Sequence, residues 1–185
     1  MAISSVGHPN QSNATFLPSD NLNVRWYAAY TSANHEKKVA AQLDVREVEH
    51  FLPLYDSVRR WKDRRVVLQL PLFPGYVFVR MALRDRIKVQ QVPGVACLVG
   101  FSGRPAALPD QQIEALRSGL ACGVGAKPHP YLTEGRRVLL KSGPFCGMQG
   151  IVLRRKGRFR VVVSMDLIQR SVAVDADAVD VEALP

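Results

Sequence analysis

The sequence predicts an α+β chain in two parts: an antiparallel sheet flanked by helices, followed by a small five-stranded β-barrel. Three observations carry this. Up to residue 120, strand-like and helix-like segments alternate. Ala121–Pro130 is rich in glycine and proline, has no periodic pattern and reads as a linker. From Tyr131 onward, about five short apolar segments separated by turn residues fit within 55 residues. The chain has 185 residues and an apolar content of 47%, enough for one large or two small cores. The expected division is residues 1–23 as a disordered leader, 24–120 as the first domain, 121–130 as the linker and 131–185 as the barrel.

The leader is rich in Ser, Asn, Gln and Pro, and lacks the basic start and apolar stretch of a secretory signal. Arg25–Thr31 reads as a strand from its aromatics. Asn34 is of the type that caps a helix, expected to run to about Glu49 with Val39, Ala40 and Leu43 on one face. Phe51–Tyr55 suggests a second strand, with Pro53 placing it at an edge or bend. Val66–Leu70 and Tyr76–Met81 read as two more, Arg84–Val92 as a short helix stopped by Pro93-Gly94, and Val95–Phe101 as another strand. Pro109-Asp110 opens a last helix, with Ile113, Leu116 and Leu120 as its apolar stripe. In the barrel, Arg137–Lys141, Gln149–Arg154, Phe159–Ser164 and Ser171–Asp175 are strands, with a fifth near Val179–Val181.

One strand is two-sided. In Phe73-Pro74-Gly75-Tyr76-Val77-Phe78-Val79, period 2 sends Tyr76 and Phe78 one way and Val77 and Val79 the other. An antiparallel strand usually needs only one apolar face, so the second calls for a covering layer or a partner.

The net charge is +9. Residues 23–120 hold 15 basic against 9 acidic residues and residues 131–185 hold 9 against 6, so the excess is spread over both halves and favours polyanionic partners. Catalysis finds little support. The four histidines are scattered, and no metal-ligand, nucleophile or phosphate-loop spacing occurs. Asp175, Asp177 and Asp180 flank a valine-rich segment and read as solvated carboxylates. Cys97, Cys122 and Cys146 are odd in number and widely spaced, as expected of reduced thiols in a cytoplasmic protein. No apolar run is long enough for a membrane span. The expectation is therefore no enzyme, no cofactor and no metal.

The strongest polar constellation is Arg59-Arg60-Trp61-Lys62-Asp63-Arg64-Arg65, between two strands. Two readings stand evenly: a solvated hairpin that keeps an edge soluble, and a phosphate-contacting tip with Trp61 available for stacking. Lys37-Lys38, at the start of the first helix, opposes the helix dipole there and hints at a functional use. Arg154-Arg155-Lys156-Gly157-Arg158 is a basic hairpin turn, for solubility or for RNA contact.

Arg25-Trp26-Tyr27, Phe73–Val79, Val92-Pro93-Gly94-Val95, Gly100-Phe101 and Arg104-Pro105-Ala106 resemble, in order, the N-terminal (NGN) domain of the NusG family of transcription elongation factors. Glu134-Gly135, Gly143-Pro144-Phe145, Gly147 and Gly150-Ile151-Val152 resemble its KOW motif, an SH3-like barrel. The resemblance covers about residues 24–183. It implies a monomer that docks on the clamp helices of RNA polymerase through Tyr30, Phe73, Tyr76, Phe78 and Leu98 and suppresses pausing. It implies that Phe145 contacts ribosomal protein S10 or Rho.

Phe51–Tyr55, Arg60–Arg64 and Pro71–Pro74 resemble the specialised RfaH and UpxY branch, which serves particular operons and in some members reads non-template DNA. That assigns a nucleic-acid role to Lys37, Lys38, Arg59, Arg60, Trp61, Lys62, Arg64 and Arg65. RfaH's His-Thr-Thr contact to polymerase has no counterpart at Asp85-Arg86-Ile87. The alternatives are a housekeeping NusG and, from another class, a ribosome-associated KOW RNA-binding protein.

Overall fold

The computed structural model describes residues 22–61, 64–123, 125–129, 135, 137–155, 158–175 and 181–184, without the side chains of 61, 153–155 and 158–160. The expected leader lies outside these residues, except at its last two, as do Asp177, Asp180 and the centre of the basic turn at 154–158.

The first sheet has the order β2 (Glu49–Phe51), β5 (Tyr76–Ala82), β1 (Val24–Thr31), β6 (Val95–Leu98), with β9 (Ala107–Leu108) also paired to β1. β1 and β5 run antiparallel over seven pairs, from Val24 opposite Ala82 to Tyr30 opposite Tyr76. Strict alternation gives this sheet two apolar faces. On one, Tyr27, Ala29, Val77, Val79 and Met81 pack with Val39 and Leu43 of α1 (Glu36–Val45) and Val89 of α2 (Arg86–Gln90). On the other, Trp26, Ala28 and Phe78 join Leu72 and Phe73, and Ile113 and Leu116 of α3 (Asp110–Ala121). Burying each large side chain contributes roughly 1.5–3 kcal/mol.

Local chemistry sets the details. Asn34, expected as the helix cap, takes a left-handed φ of 60° in the turn before α1, which its short polar side chain tolerates. His35 stands at the cap position without a side-chain cap bond. The helix ends at Val45 rather than near Glu49, because Glu47 adopts φ 55° and the chain turns into β2. Pro53 breaks the expected second strand into β2 and β3 (Leu54–Trp61), and its carbonyl accepts the Leu72 N–H at 2.8 Å. β3 pairs only with β4 (Arg64–Pro71), a separate two-stranded ribbon of eight cross-strand pairs. β7 (Gly100–Phe101) and β8 (Arg104–Pro105) form a small hairpin. Leu83–Asp85 is a 3₁₀ turn leading into α2.

The second sheet, with six strands among the described residues, has the order β10 (Ala126–His129), β14 (Arg170–Asp175), β13 (Arg158–Met165), β12 (Gln149–Arg155), β11 (Arg137–Leu140), β15 (Val181–Ala183). Five of these are the strands expected of the barrel. The sixth, β10, comes from the segment read as linker and pairs with β14 along all four residues.

The two sheets share one apolar core. Val138, Leu140, Phe145, Met148, Val161, Val163, Met165, Val172 and Val174 of the C-terminal sheet are in the same cluster as Trp26, Phe73, Phe78 and α3. The second face of β5 is thus covered by the chain itself.

Candidate functional site

Four of the five residues expected to dock polymerase come together. Tyr30 and Tyr76 face each other across β1 and β5, with ring centroids 5.4 Å apart. Phe73 meets Phe78 edge-on at 5.6 Å, and Phe51 stacks on Phe78 at 6.3 Å. Leu98 does not join them. Its partner in register is Ala29, so it points to the opposite face and packs with the α1 and α2 core.

Exposure divides the cluster. Tyr30 is 44% exposed, whereas Phe73 and Phe78 are completely buried. Tyr76 is half-buried beneath the C-terminal sheet, whose Arg170 guanidinium lies 5.7 Å from its ring centre. From α3, the Arg117 guanidinium covers Trp26 at 4.8 Å and Phe51 at 5.2 Å and reaches Glu49 of β2 at 3.7 Å.

The turn before β5 is fixed by a residue the sequence did not flag. The buried Glu36 carboxylate accepts the Gly75 N–H at 2.7 Å, across 39 residues of sequence. Gly75 has φ +85° and lies 3.3 Å, measured from the position of an added Cβ, from the Tyr30 ring. Here glycine satisfies both the backbone and the space.

The basic residues fall on two elements. Lys37 and Lys38 are exposed on the first turn of α1. Arg59, Arg60, Arg64 and Arg65 are exposed on the β3–β4 ribbon; Lys62 and the Trp61 side chain lie outside the described residues. Arg60 is directly opposite Arg65, and Trp61 opposite Arg64. Two residues below the arginine pair, on the same ribbon face, Val58 and Val67 oppose each other at 64% and 59% exposure.

Phe145 sits in the turn between β11 and β12 and is buried. It faces α3: a Cβ on Gly119 would overlap the Phe145 ring, and one on Gly147 would run into the Gln111 amide. A cavity of about 460 Å³ beside these contacts is lined by Pro109, Gln111 and Gln112 from one part and by Arg137, Met148 and Ile151 from the other. A glycine in a helical pattern was the one sequence signal for this contact. Arg117 and Arg170 had none. Among the described residues no group of His, Cys, Asp or Glu could hold a metal ion, and no helix is long and apolar enough to cross a membrane. The three cysteines are free and exposed.

Comparison with known proteins accounts for this architecture. The family described as NusG, "Transcription termination factor nusG", matches residues 24–117. A Yersinia pestis protein described as "Transcription termination/antitermination protein NusG" is 31% identical over 175 residues, covering 85% of this chain and 95% of its own. A Thermus thermophilus protein of the same description is 30% identical over 171 residues, covering 78% and 91%. The solved structure "Domain interaction in Thermotoga maritima NusG" has the same fold, with a TM-score of 0.58 at 24% identity over 89% of this chain and 99% of that one. Over both of its sheets, from the two-sided β5 strand to the C-terminal strands, the chain belongs to the NusG family.

Proposed function

We propose that the chain is a transcription elongation and antitermination factor that docks on the clamp helices of RNA polymerase through the aromatic face of its first sheet. Tyr30, Phe73, Tyr76 and Phe78 form the docking surface once the C-terminal sheet, which shares a core with the buried Phe73 and Phe78, moves off them. The observation that carries the reading is this four-ring cluster, on the sheet face that α1 and α2 leave uncovered, in a chain of the NusG family. Docking adds no chemistry. A factor bound across the polymerase cleft holds the clamp closed and lowers the population of paused states, because it binds the closed clamp better than the open one.

The C-terminal sheet contacts ribosomal protein S10 or Rho through Phe145, once that ring is free. The ribbon contacts non-template DNA. Its support is the Arg60–Arg65 pair: like charges directly opposite on a ribbon repel, and a phosphate backbone relieves that repulsion. The same ribbon favours a specialised, operon-directed member over a housekeeping one.

The test is a pull-down with RNA polymerase followed by a pausing assay. Tyr30→Asp combined with Tyr76→Ala should abolish capture. The Tyr76 change also removes the Arg170 contact that helps cover the face, which by itself would ease docking. Unchanged capture by the folded double variant would therefore sink the docking assignment. Equal activity on every template, regardless of operon, would favour the housekeeping reading.

A further inference from the structure

We infer that a second, smaller cavity beside the first sheet binds the phosphate end of a nucleoside di- or triphosphate. It lies between α2, β6 and the β7–β8 hairpin. The inference is independent of polymerase docking.

The cavity carries charge of one sign. Arg86 of α2 and Arg104 of β8 line it, and among the described residues no carboxylate does. Asp85, next to Arg86 in sequence, is instead within 3.6 Å of Arg84 and 3.7 Å of Lys88. Gln90 follows Arg86 by one helical turn, on the same face, and adds an amide. The floor is apolar, with Leu98 buried and Pro105 half-buried. Two guanidiniums beside such a floor attract an anion more strongly than they would in open water. Their planar forks match phosphate oxygens in particular. The cavity holds about 200 Å³, less than the roughly 300–1,000 Å³ of sites that enclose a whole ligand. It therefore takes one end of a molecule.

The hairpin offers a place for the rest. Ser102 and Gly103 have φ of 49° and 75°, the two positive values that a type I′ turn requires. This tight turn sets Phe101 directly opposite Arg104, on one face of the hairpin. Gly100 keeps the two strands close, since a Cβ there would overlap the Arg104 carbonyl. Phe101 is 71% exposed. A base stacked on that ring lies beside the guanidinium that holds the phosphate. A phosphate and a flat base together describe a nucleotide. The same two groups occur at the 5′-phosphorylated end of a nucleic-acid strand, and the experiment separates the two sources.

Cys97 serves as a built-in reporter. It lines the cavity, whereas Cys122 and Cys146, also free and exposed, do not. The full chain is alkylated with iodoacetamide in EDTA, and the three rates are read peptide by peptide in a mass spectrometer. ATP and inorganic pyrophosphate should each protect Cys97 and leave Cys122 and Cys146 at their original rates. Arg86→Ala and Arg104→Ala should each weaken both ligands by about tenfold or more. Phe101→Ala should weaken ATP by about fivefold or more and leave pyrophosphate unchanged. An unchanged melting temperature establishes that each variant is folded. A thymidine hexamer that protects Cys97 only when it carries a 5′ phosphate supports the site, with a strand end as its source. Cys97 alkylation at one rate with and without millimolar ATP overturns the site. Protection that survives both arginine changes overturns it too. A hexamer that protects equally well without its 5′ phosphate would place a phosphodiester backbone in the cavity and overturn the nucleotide assignment.

Discussion

Glu36 shows how one side chain can set a site from a distance. It is the one buried charged residue among the described residues, and its partner is a backbone N–H in the turn that aims Tyr76 and Phe78. A hydrogen bond to a charged group contributes about 1.5–3 kcal/mol, and an abandoned buried N–H costs a comparable amount. Glu36→Ala should therefore lower the urea-unfolding free energy by about 2 kcal/mol. Glu36→Gln, which keeps an acceptor oxygen, should lose less than half of that. Equal losses would show that the negative charge, and not volume or a neutral acceptor, is what counts. Gly75→Ala meets two obstacles, a φ of +85° and the Tyr30 ring, and should cost about 1–2 kcal/mol in the same measurement.

At the scale of elements, the β3–β4 ribbon stands apart from both larger sheets, so its charges can be changed without disturbing a core. Arg60→Ala with Arg65→Ala should leave the melting temperature unchanged or slightly raised, since the directly opposed charges are gone. DNA affinity should fall, and the slope of log affinity against log salt should become shallower by about 2, read in a salt-titrated binding assay. An unchanged slope would assign these arginines to solubility alone. The ribbon was half legible in the sequence. Its basic tip and the edge or bend at Pro53 showed, but the run of β3 through Asp56–Trp61 did not, because that stretch is mostly polar and charged and is held by pairing with β4. The two faces of β5 and the start of α3 were plain from periodicity and from Pro109-Asp110. The start of α1 was not, because Asn34 suits a left-handed turn as well as a cap. β10 was hidden for a different reason: Ala126–His129 has no strand pattern of its own and is held by pairing with a strand more than forty residues away.

For the whole molecule, the shared core makes two sheets into one cooperative unit. Calorimetry should show a single unfolding transition for the chain and two for Gly119→Leu, in which each sheet melts separately. The sequence suggested that the aromatic face of β5 waits for a partner. It could not show that the partner at rest is the C-terminal sheet, because only the folded chain brings residue 145 against residue 119. The strand β10 adds a further consequence, one of reach. Among the described residues it is the outermost strand of its sheet, bonded on one side only, and four residues separate it from the end of α3. Those four residues span at most about 14 Å, so a C-terminal sheet that lets go of α3 stays on a short leash. Unzipping β10 from β14 would pay out four more residues and double the leash to about 28 Å, letting the chain set the distance between its two partners by shedding one strand.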